Sequence, residues 1–136
     1  MKANELMLGY LVLYEYNGEK IRARVVEVYR SSVLVESVSK EYEPIEIAED
    51  KLFPVAITPE ILEKNGFRYY NYGHHDYGWG IVADLVLGDP NNGLFPFGVV
   101  MDDRESYYLY ILFVFKYVHE LQHALHLCQI DKTIEL

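Results

Sequence analysis

The sequence predicts an α+β protein: an N-terminal SH3-like small β-barrel or rolled sheet, followed by an antiparallel sheet with two helices. Three observations carry that prediction. The first fifty residues contain four or five short apolar-alternating runs separated by turn residues. Two later segments, Thr58–Gly66 and Tyr117–Cys128, have helical caps or a helical apolar stripe. Between them lie further strand-like runs broken by Gly, Asn and Pro. With 136 residues and 51% hydrophobic content, the chain can bury a core without metal or disulfide support. The expected division is 1–56 for the SH3-like part and 57–136 for the α+β part, packed as one unit.

Leu8–Tyr16 reads as the first strand, and Asn17-Gly18 as a two-residue hairpin turn. In Glu19–Tyr29, Ile21, Ala23 and Val25 alternate with Lys20, Arg22 and Arg24. The phase then flips at Val25-Val26, a signature of a bulge or sharp bend. Val33–Val38 and Glu41–Ile47 read as a third and fourth strand. Thr58 is a suitable cap for a short helix with Pro59 at its first position, Glu60 in its first turn and Asn65-Gly66 at its close. Strand character resumes over Phe67–Tyr72, Ile81–Leu87 and Leu94–Met101, and Pro96 assigns the last to an edge or a bulge. Ser106–Phe115 is apolar on both faces, so it is expected at the centre of a sheet, covered from both sides. In the second helix, Tyr117, Val118, Leu121, Ala124, Leu125 and Cys128 share one stripe, which turns His119, His123 and His126 toward solvent. The tail, Gln129–Leu136, has the alternation of an added edge strand.

Three segments taken together, Leu8-Gly9-Tyr10-Leu11-Val12, Ile57–Phe67 and Tyr117–Gln122, resemble small uncharacterised proteins of gut anaerobic bacteria, often encoded in prophages and mobile elements. The resemblance implies no assigned activity. Asparagine is common in that group at the place of His123, so the resemblance does not imply a shared zinc site.

The net charge of −9 repels phosphate, which disfavours non-specific nucleic-acid binding. The single Cys128 excludes an internal disulfide framework and fits a reducing compartment. No apolar run reaches the ~18–20 residues of a membrane span, and the start lacks a secretory pattern, so a cytoplasmic protein is expected, away from membranes.

His119-Glu120-Leu121-Gln122-His123 has the spacing of a helical zinc motif. Histidines one turn apart can share a zinc ion while the glutamate activates its water. The third ligand would come from His74, His75 or Asp76. A solvent-facing helix side argues against such a centre, because catalytic zinc needs a cleft and supporting partners. A second candidate is the aromatic loop with Tyr69, Tyr70, Tyr72, Tyr77 and Trp79, either a recognition patch or cross-strand aromatic pairing. The third is the basic strand face of Lys20, Arg22 and Arg24, either a binding stripe or the cross-strand partner of Glu15 and Glu36. These readings lead to a non-enzymatic binding module without a cofactor, whose partner is a protein or a second copy. The alternative is a small zinc-dependent hydrolase with zinc as its cofactor.

Overall fold

The computed structural model describes residues 1–73, 76–102 and 106–136, and it has the expected α+β class with two antiparallel sheets and two helices. The chain divides into two compact units, the first made of Met1–Ala56 with Tyr117–Ile134 and Leu136, the second of Ile57–Lys116 with Glu135. The first stretch of the first unit ends at Ala56, and Tyr117–Ile134 groups with it rather than with the segment that precedes it in the chain.

In the first unit, β1 (Leu11–Tyr16), β2 (Glu19–Val28), β3 (Ser32–Ser37) and β4 (Ile45–Ala48) form a meander. A 3-10 turn over Glu49–Lys51 leads into β5 (Leu52–Pro54), which returns to pair with β1. The resulting order β4-β3-β2-β1-β5 is that of an SH3-like roll. Asn17 and Gly18 both have positive φ, the backbone that a tight hairpin requires. The predicted irregularity in β2 is present: Val25 pairs with Val35 and Glu27 with Leu34, leaving Val26 as the extra residue. The fourth strand begins later than expected, at Ile45. Inside the roll, Val12, Tyr14, Ala23, Val25, Val33, Val35 and Leu52 form one buried cluster.

Of the two helices, α1 (Pro59–Lys64) belongs to the second unit and α2 (Val118–Leu127) to the first. Val118, Leu121, Ala124 and Leu125 of α2 are buried, and β1 contacts this helix. Gln122 saturates polar groups at the start of β1: its Oε1 accepts from Leu11 N at 2.9 Å and its Nε2 donates to Gly9 O at 3.2 Å. The stripe ends sooner than its period suggests, since Cys128 is exposed. The tail forms no strand; instead Ile134 is buried and its carbonyl accepts from Arg24 at 2.7 Å.

In the second unit, Thr58 caps α1 by accepting from Ile61 N at 3.2 Å, and Gly66 follows with φ +81°. Its sheet runs β10-β9-β8-β7-β6, with β6 Arg68–Asn71, β7 Tyr77–Val82, β8 Leu85–Gly88, β9 Phe95–Asp102 and β10 Tyr107–Phe115. Two expectations are corrected here. β9 is an inner strand; Pro96 is tolerated because it lies outside the stretch that pairs with β8, Leu85–Leu87 against Phe97–Val99. β10 is not central but terminal in the sheet order, and most of its side chains are exposed. An apolar run reports a preference for burial; it does not say whether the chain itself supplies the cover.

Candidate functional site

The helical pentad is put to structural use. Glu120 Oε1 accepts from Tyr117 N at 3.0 Å, closing the first turn of α2, so the residue proposed as a general base caps its own helix. His119 is 9% exposed, against the expectation that it faces solvent, and its ring stacks on Tyr117 at 5.9 Å. Helical phase predicts exposure only when one side of a helix is covered. Here Tyr10, from the N-terminal segment, reaches the opposite side as well: its hydroxyl lies 2.6 Å from His123 Nδ1. Burial lowers the pKa of His119, with the charges of Glu120 and Glu5 opposing and His123 adding to the shift. Its Nδ1 is buried without a hydrogen-bond partner among the described residues. Burial also raises the pKa of Tyr10, which keeps the phenol protonated beside His123. Among the described residues, no group of three or more His, Cys, Asp and Glu side chains is arranged to hold a metal ion. The proposed third ligands His74 and His75 lie outside the described residues; Asp76 is exposed.

The aromatic loop is divided between the two faces of its sheet. Tyr69 pairs with Trp79 across β6 and β7, and Tyr69, Tyr77 and Trp79 cluster, with ring centroids 5.6 Å apart for Tyr69–Tyr77 and 4.8 Å for Tyr69–Trp79. Tyr70 points to the other face, where its ring lies over Gly80, and Tyr72 meets it edge-on at 6.4 Å. Trp79 is only 5% exposed and is a core residue, while Tyr69, Tyr70 and Tyr77 are exposed. The Tyr69 hydroxyl donates to Asp89 at 2.6 Å, and that bond, with smaller contributions from burial and the Asp89 charge, pushes its pKa up to about 12.

The basic face of β2 is also engaged within its own unit. Lys20 lies opposite Glu15 and sits 4.3 Å from the Phe53 ring centroid; Arg24 lies opposite Glu36 and donates to Gly9 O and Ile134 O. Arg22 is exposed between them. Elsewhere in the unit, Tyr14, Tyr16, Glu41, Tyr42 and Pro44 border an open cleft of about 370 Å³.

The surface that sequence reasoning missed is β10. Tyr107, Tyr108, Tyr110, Ile111, Leu112, Phe113 and Val114 are each between 42% and 58% exposed. A bulge gives this strand its side-chain pattern: Ile111 pairs with Gly98 and Phe113 with Phe97, so Leu112 is the extra residue. Because alternation restarts there, Tyr108, Tyr110, Phe113 and Phe115 share one face with Phe95 and Phe97 of β9. Tyr107, Leu109, Ile111 and Val114 share the other with Pro96 and Gly98. Gly98 is required by this approach, since a Cβ on it would collide with the carbonyl oxygen of Tyr110. The signal was present in the sequence as an uncharged nine-residue run; only its place in the sheet was not. No helix among the described residues is long and apolar enough to cross a membrane. Comparisons with protein-family models, curated proteins and solved structures find no match.

Proposed function

We propose that this chain is a non-enzymatic protein-interaction module, of the mobile-element kind its sequence resemblance implies, and that it binds through β10. The observation that carries this reading is the exposure of seven consecutive or near-consecutive large apolar residues on a terminal strand. Half-exposed side chains of this size leave on the order of 600 Å² of apolar surface on one strand. Divided between the two faces of the sheet, this is on the order of 300 Å² a face, the size of the larger apolar patches of a typical monomer, about 300–600 Å², which are often functional. The strand also has one side paired with no other strand among the described residues, and such an edge accepts an added strand. A protein suits this uncharged surface better than nucleic acid does, because phosphate recognition needs cations and Tyr107–Phe115 contains none.

The zinc-hydrolase alternative asks Glu120 to leave the cap of α2 and His123 to share its ring with a metal as well as with Tyr10. The interaction reading leaves both where they are. It is tested by immobilising the wild-type chain and a Tyr110→Lys, Val114→Lys variant of unchanged melting temperature. The wild type is expected to retain a protein, another copy included, that the variant loses. Equal retention by both, or retention abolished by nuclease, defeats the proposal.

A further inference from the structure

We infer that the occupant of β10 is a second copy of the same strand, paired antiparallel across a twofold axis that passes between Ile111 and Leu112. This inference rests on the reading of β10 as a binding surface and names the partner. Directly opposite residues in an antiparallel pair lie on the same face of the sheet. For a regular strand, an axis between two neighbouring residues would set each side chain against one from the wrong face, since neighbours alternate. The bulge at Leu112 removes that conflict. With the axis between Ile111 and Leu112, Tyr108 meets Phe115, Tyr110 meets Phe113, and Leu109 meets Val114 of the second copy. The register on β9 places the first four residues on one face and the last two on the other, so every pair matches. Aromatic rings oppose aromatic rings on one face and aliphatic groups oppose each other on the second, pairings that stabilise antiparallel sheets.

Backbone pairing and charge agree with this occupant. Edge pairing joins the N–H and C=O groups that β10 turns away from β9, and it continues the apolar side chains of both faces onto the second copy. Each chain has a net charge of −9, so two copies repel at long range, and an uncharged strand is where they approach at least electrostatic cost. Two consequences follow for association. It strengthens as salt screens the repulsion, the reverse of phosphate binding by a basic surface. A lysine placed near the axis meets its own copy and weakens it.

The test uses the full chain in light scattering coupled to size exclusion. Wild type is expected at twice the 15.9 kDa chain mass, with the dimer fraction rising from low salt to about 0.5 M NaCl. Leu112→Lys, at an exposed bulge position, is expected to run as a monomer with an unchanged melting temperature. The register is checked by mixing Tyr110→Cys chains with Phe113→Cys chains, both also Cys128→Ser. Opposite residues fall within the Cα separation a disulfide spans, about 4.4–6.8 Å, so the mixture is expected to cross-link and either chain alone is not. A monomeric wild type at high salt overturns the inference, as does a dimer that survives Leu112→Lys or a mixture that fails to cross-link. If wild type is monomeric and yet retains a different protein that the Tyr110→Lys, Val114→Lys variant loses, self-pairing is refuted while the interaction reading stands.

Discussion

Replacing Trp79 with alanine separates a core aromatic from a recognition aromatic. Trp79 is 5% exposed, lies across from Leu87 on one side and Tyr69 on the other, and packs on the Tyr69 ring at 4.8 Å. Removing a buried Trp side chain costs about 3–5 kcal/mol, of which the lost ring contact is about 0.5–1.5. At a urea dependence of about 2 kcal/mol per molar, the midpoint is expected to fall by about 1.5–2.5 M. The melting temperature of a unit this small is expected to drop by about 10 °C or more. Far-UV circular dichroism is the suitable probe, because Trp79 is the only tryptophan and its fluorescence disappears with the substitution. Tyr77→Ala, at a residue 43% exposed in the same cluster, serves as the reference and is expected to cost ~1 kcal/mol. A loss at Trp79 no larger than at Tyr77 would refute the assignment of Trp79 to the core and return it to the binding surface.

Two further predictions concern the helix histidines. His119 has a folded pKa below its unfolded value near 6.5, so the unfolded chain takes up its proton first as pH falls. Its contribution is therefore complete above about pH 6.5 and declines as pH falls toward the folded pKa; melting temperature is expected to decrease over that window, less steeply in His119→Gln, and equal slopes would contradict the assignment. Tag-free protein is expected to contain no stoichiometric zinc by plasma emission analysis, and one zinc per chain lost in His123→Ala would instead support the hydrolase.

Local features were legible in the sequence where the physics is local. The Asn17-Gly18 hairpin, the Thr58 cap and the Val26 bulge each follow from residues within a few positions of one another. Errors arose where burial depends on distant chain. His119 lies opposite the apolar stripe of α2, yet it is buried, on the side of the helix where Tyr10 meets His123. Tyr107–Phe115 has the composition of a central strand, but sheet order is set by connections that periodicity does not encode. The two readings of the aromatic loop, one patch or cross-strand pairing, stayed open because sequence proximity hides the two-residue alternation that sends Tyr69 and Tyr70 to opposite faces.

The first unit has a consequence for biosynthesis. Its sheet is complete by Ala56, but the helix and tail that pack with it are Tyr117–Ile134. At translation rates of ~5–20 residues per second, several seconds to more than ten pass between the two. During that interval Leu11 lacks the α2 segment, Gln122 has not reached the backbone at Gly9 and Leu11, and Arg24 has no Ile134 carbonyl to bond. The nascent roll therefore waits with one side uncovered, a target for ribosome-associated chaperones, and a message truncated before codon 117 should yield a polypeptide that quality-control proteases clear.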